Sequence, residues 1–296
     1  MEGILSDTDL AREYSPSSVA PNFAEVVALY GSRSEETLRR IPYSKVPFGT
    51  RPEEYVLLFT PDSQAQPKSL LVFFHGGYWQ DLSARDACFP ADALVARGIA
   101  YAAVNYTLAP HALLETIVAQ CCNAVDMLAR RFPGTRIVLA GSSAGAHLAA
   151  MLTSIEWRDR GMAEAPFSGS VLISGIFDLR PLVRTYVNEA LRLDVGRAEQ
   201  LSPMLRAVRS PVDSIVCWGE HETSAFKWQS TDYVEYLERS SARVSTYEVA
   251  SKNHFDILFD LTNPETRLGS DTLKLLGESH EYTPQARHPG NPGSCA

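Results

Sequence analysis

The chain carries one serine whose neighbours are those of an activated nucleophile. The pentapeptide Gly-Ser-Ser-Ala-Gly at 141–145 matches G-x-S-x-G, and the register of this pattern places the exposed hydroxyl on Ser143 rather than on Ser142. An apolar run at 136–140 leads into the pattern and an alanine-rich stretch follows it, which is the strand–turn–helix setting of a nucleophile elbow. Small residues suit this setting because strand and helix approach closely around a strained turn. The pentapeptide therefore predicts nucleophilic catalysis by Ser143.

A His-Gly-Gly sequence follows a second apolar run. Residues 70–74 lead into His75, Gly76 and Gly77. In α/β-hydrolases a loop of this type supplies backbone N–H groups to the oxyanion that forms during acyl transfer. Glycines let the main chain approach the substrate oxygen with no Cβ in the way. We predict that Gly76, Gly77 and the N–H of Ala144 form this oxyanion hole, and that His75 shapes the loop by hydrogen bonding.

Two aromatic residues, Tyr78 and Trp79, continue the same loop. Their rings are predicted to flank the pocket and to bind substrate by stacking on a flat group. The competing interpretation is that both rings pack in the protein interior and do not contact substrate.

A serine nucleophile needs a histidine that takes up its proton, and in this fold the histidine follows the last strand. His254 comes directly after the run at 244–249 and is the predicted base. His147 falls one turn into the helix that follows the nucleophile, where a structural hydrogen bond is expected. His280 and His288 lie in a Pro-, Gly- and Ser-rich tail that could not hold a base in place.

The carboxylate that orients the base is expected after the penultimate strand. Glu220 and Glu222 both follow the run at 215–218, and Glu222 is preferred because it lies deeper in the loop. A less common arrangement places the acid one strand earlier, where Asp178 stands. Glu222, Asp178 and Glu220 therefore remain three candidates, in that order.

Strand-like and helix-like segments alternate along most of the chain, and several of the strand-like runs are apolar at consecutive positions. This pattern is typical of a mostly parallel sheet covered by helices on both faces. Together with the elbow and the His-Gly-Gly loop, it predicts an α/β-hydrolase fold. Predicted strands are 55–59, 70–74, 99–105, 136–140, 170–174, 215–218 and 244–249, and predicted helices are 83–97, 112–132, 144–160, 226–239 and 261–276.

Three regions are predicted from the distribution of proline, glycine and apolar residues. Residues 1–50 form an irregular N-terminal segment that packs on the domain, with one helical patch at 23–30, since repeated prolines interrupt longer periodicity. Residues 51–276 form the catalytic domain. Residues 277–296 form a disordered tail.

Composition excludes several other classes of protein. The 296 residues include 27 Lys and Arg against 35 Asp and Glu, a net charge of −8 that opposes nucleic-acid binding. No apolar run approaches the roughly 20 residues of a membrane span, and the acidic N-terminus does not resemble a secretory signal. Five cysteines without a C-x-x-C pattern indicate reduced thiols, so we expect a cytoplasmic enzyme.

No dinucleotide, phosphate-loop or zinc-protease motif is present, so no cofactor and no metal are predicted. The expected partner is a small-molecule substrate, with no nucleic acid and no membrane. The general frequency of two-fold oligomers favours a homodimer.

Four segments of the chain resemble the kynurenine formamidase (arylformamidase) family, α/β-hydrolases related to the hormone-sensitive-lipase-like esterases. These segments are His-Gly-Gly-Tyr-Trp at 75–79, the serine motif at 141–150, Ser-Gly-Ile-Phe-Asp-Leu at 174–179 and His-Phe-Asp-Ile at 254–257. The resemblance implies hydrolysis of N-formyl-L-kynurenine to L-kynurenine and formate, a step of tryptophan catabolism that needs no cofactor.

The chain departs from the animal members of this family at the acid position. Those enzymes have Asp there, whereas this chain has Glu222, as do bacterial relatives of which several are known only as generic esterases. The alternative to a formamidase is therefore a carboxylesterase that acts on small aryl or alkyl esters. A hydrolase-fold binding protein would be expected to lack part of the triad, and here every part is present.

Overall fold

The computed structural model describes residues 5–61, 66–240 and 242–278. Within these residues eight strands form one sheet in the order β1-β2-β4-β3-β5-β6-β7-β8. The strands are β1 (Ser44–Pro47), β2 (Tyr55–Phe59), β3 (Ser69–Phe74), β4 (Ala100–Val104), β5 (Arg136–Ser142), β6 (Gly169–Ile173), β7 (Asp213–His221) and β8 (Val244–Asn253).

In the described part of the chain, two helices precede β1, one follows β8, and the others lie between successive strands from β3 to β8. They are α1 (Asp7–Glu13), α2 (Phe23–Arg40), α3 (Ala91–Val95), α4 (Leu114–Arg131), α5 (Ala144–Thr153), α6 (Asn188–Leu191), α7 (Val195–Gln200), α8 (Ser224–Arg239) and α9 (Arg267–Leu275). The sequence predicts a disordered tail at residues 277–296. From residue 279 onward this tail lies outside the described residues.

Strands β3 to β8 are parallel, while β1 and β2 join the edge of the sheet in antiparallel pairing. Every residue of β3 and of β4 is buried, as expected where helices cover both faces of a parallel sheet. The predicted α/β-hydrolase architecture is confirmed.

Alternate residues of one strand supply two separate hydrophobic cores. In β3, Leu70 and Phe74 point to the core shared with α4, α5 and α8, whereas Leu71 and Phe73 point to the core shared with α2, α3 and α9. The sheet is thus held rigidly from both sides, and the loops at the carboxyl ends of its strands start from fixed positions.

The prediction of an irregular N-terminal segment is wrong. Residues 5–40, called here the N-terminal cap, contain α1 and the 18-residue helix α2, and β1 follows as an edge strand of the sheet. The prolines lie outside the two helices: Pro16 begins a 3₁₀ turn, Pro21 precedes α2, Pro42 follows it, and Pro47 is the last residue of β1. The predicted helical patch was therefore the first part of a much longer helix.

Three predicted helices are shorter than expected. The segment 83–97 divides at Pro90 into a 3₁₀ turn and α3, because the residue before a proline avoids helical geometry. The segment 144–160 divides into α5 and a 3₁₀ turn, and the last helix begins only at Arg267. The observed ends of these helices differ from the predicted ends, but each helix lies in the part of the chain where it was predicted.

Candidate active site

Ser143 stands on a strained turn between β5 and α5. Its φ of 56° and ψ of −119° are rare for a residue with a side chain, and its amide donates a hydrogen bond of 2.8 Å to the Ile173 carbonyl. The flanking glycines are required by close packing: a Cβ on Gly145 would lie 1.9 Å from the Phe74 carbonyl oxygen, and one on Gly141 would lie 2.2 Å from the Gly145 carbonyl carbon. The turn therefore has the geometry of a nucleophile elbow.

Glu222 and His254 meet at the carboxyl ends of two neighbouring parallel strands. Glu222 follows β7 and His254 follows β8. His254 Nδ1 lies 2.9 Å from Glu222 Oε2, and both side chains are almost completely buried. The ring of Phe226 packs edge-on against the imidazole, with the centroids 4.5 Å apart. The imidazole thus has a carboxylate on one nitrogen and an apolar wall on one face.

The other two candidate carboxylates lie in other environments. Asp178 holds both of its oxygens against the Arg180 guanidinium in a bidentate ion pair. Glu220 is exposed, and its carboxylate accepts a hydrogen bond from the Ser251 amide at 2.7 Å. Neither of these two carboxylates has His254 among its described hydrogen-bond partners.

Ser143 and His254 line one cavity of about 390 Å³. The hydrogen bonds of the described residues include none between the Ser143 hydroxyl and the His254 ring, although the two side chains form parts of the same cavity wall. In enzymes without substrate the nucleophile–base contact is often loose and tightens only in the reactive complex. The arrangement leaves Nε2 of the imidazole as the ring nitrogen not occupied by Glu222.

The His-Gly-Gly loop lies directly beside the nucleophile. A Cβ on Gly76 would be 3.5 Å from Ser143 Cβ, and Gly77 has a φ of 92° that favours glycine. Among the described residues, the amides of Gly76, Gly77 and Ala144 donate no hydrogen bond. Ala144 is the first residue of α5, where amides have no partner within the helix. Gly76 and Gly77 line the same cavity as Ser143, and Ala144 directly follows Ser143, so these three amides are the candidate donors to a substrate oxygen.

The two aromatic residues of this loop point in different directions. Tyr78 lines the cavity, and its hydroxyl donates a 2.6 Å hydrogen bond to the Tyr14 carbonyl. Trp79 is fully buried and packs edge-on against His147, 4.9 Å between centroids, and it is not part of the cavity wall. The prediction that Trp79 flanks the pocket is therefore wrong, because this ring turns into the core.

His75 and His147 have structural contacts. His75 Nδ1 lies 2.9 Å from the Gly76 carbonyl oxygen, and its ring stacks on Tyr106 at 4.2 Å. His147 Nε2 lies 2.8 Å from the Leu201 carbonyl oxygen. Burial lowers the pKa of each imidazole to about 4, so both are neutral at pH 7. These contacts agree with the loop-shaping and structural roles expected from the sequence.

Much of the cavity wall comes from the N-terminal cap, which the sequence did not indicate. The cap contributes Pro16, Ser17, Phe23, Val27 and Tyr30. Aromatic rings are frequent around the cavity as a whole: Phe23, Tyr30, Phe73, Tyr78, Tyr186 and Phe255 all line it. A cavity with this lining is suited to an aromatic group.

The cap is also joined by hydrogen bonds to the loops that carry the site. Such bonds reach the loops after β3, β7 and β8: Tyr78 Oη to the Tyr14 carbonyl at 2.6 Å, Thr223 Oγ1 to the Glu13 carbonyl at 2.6 Å, and Tyr30 Oη to the Phe255 carbonyl at 2.5 Å. One segment thus holds together three loops that are far apart in sequence.

Neither a metal-binding cluster nor a membrane helix is found in the part of the chain that the structure describes. No group of three or more His, Cys, Asp and Glu side chains there is placed to hold a metal ion. No helix in the same ranges is long and apolar enough to cross a bilayer. Cys88, Cys121, Cys122 and Cys217 are buried free thiols.

Comparison with known proteins places the chain in a family. Residues 71–208 match the α/β-hydrolase fold family model. The chain is 32% identical to kynurenine formamidase of Danio rerio over 288 residues, an alignment that covers 93% of this chain and 98% of the zebrafish protein. The chain belongs to the kynurenine formamidase family. It is therefore a hydrolase, as the sequence predicted.

Solved structures of two other hydrolases have a similar fold. A proposed thioesterase from Silicibacter sp. TM1040 has a TM-score of 0.78 and 29% identity, covering 88% of this chain and 98% of its own. A hormone-sensitive lipase from a metagenome library has a TM-score of 0.64 at 17% identity, covering 92% of this chain and 98% of its own, and so shares the fold. The predicted relation to hormone-sensitive-lipase-like esterases holds at the level of architecture.

Proposed function

We propose that this member of the kynurenine formamidase family hydrolyses N-formyl-L-kynurenine to L-kynurenine and formate, with Ser143, His254 and Glu222 as its catalytic triad. The observation that carries the proposal is the 2.9 Å contact between His254 Nδ1 and Glu222 Oε2 beside a cavity that also exposes the strained Ser143 turn. The kynurenine formamidase of Danio rerio, aligned along almost its entire length, supports the choice of substrate.

The first step is attack of the Ser143 hydroxyl on the formyl carbon. His254 Nε2 takes the hydroxyl proton as the bond to carbon forms, and Glu222 stabilises the resulting imidazolium through Nδ1. The carbonyl electrons move to oxygen, and the amides of Gly76, Gly77 and Ala144 are the proposed donors to this oxyanion. One such donor is worth about 3–4 kcal/mol of transition-state stabilisation.

The second half of the reaction returns the proton and releases the acyl group. The imidazolium of His254 protonates the aniline nitrogen of the leaving group as the C–N bond breaks, which leaves a formyl ester on Ser143. Water, deprotonated by the same imidazole, then attacks this ester. The imidazolium returns that proton to Ser143 Oγ as the bond between Oγ and the formyl carbon breaks, and formate leaves. An anilide nitrogen leaves more readily than an alkyl amine, so the reaction is within reach of an esterase-like triad.

The shape and lining of the cavity fit an aryl leaving group. Aromatic rings from the cap and from the loops after β3 and β8 surround the space next to Ser143. Formyl is the smallest acyl group, so most of the cavity would hold the aromatic part of the substrate.

A carboxylesterase acting on small aryl or alkyl esters is the second candidate. The proposed thioesterase from Silicibacter sp. TM1040, at 29% identity, favours this alternative because a thioesterase cleaves an ester-type bond. The same triad would serve both substrates, since ester and anilide cleavage pass through similar tetrahedral intermediates.

The ratio of kcat/KM for N-formyl-L-kynurenine to kcat/KM for p-nitrophenyl acetate separates the two candidates. A formamidase is expected to prefer the formamide clearly, although the ester is chemically easier to cleave. A clear preference for p-nitrophenyl acetate would assign the enzyme to the esterases. Kynuramine and kynurenine formamides compared with formanilide would then show which part of the leaving group the cavity recognises.

A further inference from the structure

The Glu222 carboxylate contacts a second side chain, Ser174, which is not part of the proposed triad. The hydroxyl of Ser174 donates a 2.6 Å hydrogen bond to Glu222 Oε1, and the Gly219 amide donates another of 2.7 Å to the same oxygen. The remaining oxygen, Oε2, faces His254 Nδ1 at 2.9 Å. The two carboxylate oxygens therefore have separate partners, one set that fixes the side chain and one that orients the base.

We propose that Ser174 is a positioning residue for the catalytic acid. It is fully buried directly after β6, so its hydroxyl has no competing water. The inference rests on the proposed triad, since Ser174 would act on the reaction only through Glu222 and His254.

The backbone around Ser174 strengthens the assignment. Ser174 has a φ of 52°, a left-handed conformation that is uncommon for residues other than glycine, and its amide is tied to the Cys217 carbonyl at 2.8 Å. The preceding residue, Ile173, accepts the hydrogen bond from the Ser143 amide. The dipeptide 173–174 thus contacts the nucleophile turn through its backbone and the acid through its side chain.

The length of the glutamate side chain explains why the hydrogen bond from Ser174 to Glu222 matters for catalysis. Glu has one more rotatable bond than Asp, so its carboxylate has more positions to occupy. Hydrogen bonds from Ser174 and Gly219 to one oxygen remove that freedom and leave Oε2 directed at the imidazole. Loss of a hydrogen bond to a charged group typically slows a reaction step that depends on that group about tenfold to a hundredfold.

The test compares Ser174→Ala and Ser174→Gly with a matched control, Ser170→Ala. Ser170 is a buried serine of β6, the strand that leads to Ser174, and its hydroxyl contacts the Ser214 hydroxyl at 2.9 Å. Glycine at 174 accepts the positive φ without strain, so Ser174→Gly keeps the backbone favourable while it removes the hydroxyl. Both variants at 174 are expected to lower kcat about tenfold to a hundredfold, with KM changed less than about twofold. Ser170→Ala should keep both constants.

Two further measurements separate positioning from a merely structural role. In a Glu222→Gln background, Ser174→Ala should change kcat less than about twofold, because the carboxylate that it positions is already gone. The low-field proton resonance of His254 Nδ1–H should shift or broaden in Ser174→Ala and stay in place in Ser170→Ala. An unchanged kcat in both variants at 174, or an equal loss in the Glu222→Gln background, would overturn the proposal.

The outcome is independent of the choice of substrate. The loss at 174 should be similar for N-formyl-L-kynurenine and for p-nitrophenyl acetate, because Ser174 acts on the triad and not on the leaving group. If the wild-type enzyme cleaves the ester alone, the formamidase proposal fails while Ser174 is still tested on the ester. If it cleaves neither substrate, the His254 Nδ1–H resonance, compared between Ser174→Ala and Ser170→Ala, tests the positioning role of Ser174.

Discussion

At the level of single residues, the three candidate carboxylates differ in what already occupies their oxygens. Asp178 has both oxygens on the Arg180 guanidinium. Glu220 is exposed to solvent, where a hydrogen bond to an imidazole would be weakened by water. Glu222 is buried and has one oxygen directed at His254. Their positions in the sequence did not decide which of the three carboxylates orients His254. Their surroundings in the fold distinguish them.

Replacing Glu222 by Gln should reduce kcat about 10³- to 10⁴-fold with little change in KM. The amide has nearly the shape of the carboxylate but cannot stabilise the imidazolium, and it allows the wrong tautomer of His254. The matched control is Glu220→Gln, two residues earlier in the same loop, which should retain kcat within about threefold. Steady-state kinetics on both variants would contradict the assignment if Glu220→Gln were the more damaged.

Ser143→Ala should abolish turnover while leaving the fold intact. Removal of a triad nucleophile typically costs about 10⁶-fold in kcat, and the small alanine side chain fits wherever serine does. The check is labelling by a serine-directed fluorophosphonate, which should modify one peptide, that of residue 143, in the wild type and none in the variant. Ser142→Ala is the control that should still be labelled. Retained activity in Ser143→Ala would exclude the elbow serine as nucleophile.

At the level of elements, the crossing of α5 over β3 is what requires the glycines of the serine motif. A Cβ on Gly145 would overlap the Phe74 carbonyl oxygen at 1.9 Å, and neither group can move without opening the sheet. We expect Gly145→Ala to prevent folding or to lower the free energy of unfolding by more than about 3 kcal/mol.

Gly31→Ala is the matched control for this prediction. Gly31 lies in the middle of α2, and a Cβ there would be 3.5 Å from Asp86 Oδ1, an ordinary contact. Because alanine is favoured over glycine in helices, this variant should raise the free energy of unfolding by up to about 1 kcal/mol. Urea unfolding followed by circular dichroism measures both. A Gly145→Ala protein as stable as the wild type would show that the elbow does not depend on this close approach.

The order of the elements could be predicted from the sequence because the strands of a covered parallel sheet are continuous apolar runs. β2 has the predicted bounds, 55–59, and the other predicted strands overlap observed ones. Helix ends were less predictable, since Pro90 and the turn before Arg267 interrupt segments whose apolar pattern continues. β1 was missed because the four residues Ser44–Pro47 are mostly exposed at the sheet edge and carry no apolar signal.

The residues of the proposed triad could be selected from the sequence more readily than the residues that line the cavity. Motif, chain order and loop position indicated Ser143 and His254 and ranked Glu222 before Asp178 and Glu220, because these features depend on local sequence and on the topology of the sheet. Tyr78 and Trp79 both have positive φ, 49° and 60°, and this unusual backbone turns one ring to the cavity and the other to the core. Apolar residues in the sequence do not indicate which way such a loop turns. The contribution of the cap was missed for a similar reason, because it depends on long-range packing.

At the level of the whole molecule, two buried neutral histidines link stability to pH. Burial lowers the pKa of His75 and of His147 to about 4, whereas an unfolded histidine titrates near pH 6.5. Between these values the unfolded chain binds protons that the folded chain does not, so protons favour unfolding there. The stabilisation is fully present above about pH 6.5 and is lost as the pH falls towards 4.

We therefore expect the free energy of unfolding to fall by about 2 kcal/mol for each of these histidines between pH 7 and pH 5. Replacing His147 by Gln removes one titrating group, so the fall measured by urea unfolding should be smaller by about that amount, even though the variant is less stable at pH 7. If the slope of stability against pH were the same in His147→Gln as in the wild type, this imidazole would have to be accessible to protons in the folded state. That result would contradict the structure, in which the His147 side chain is completely buried.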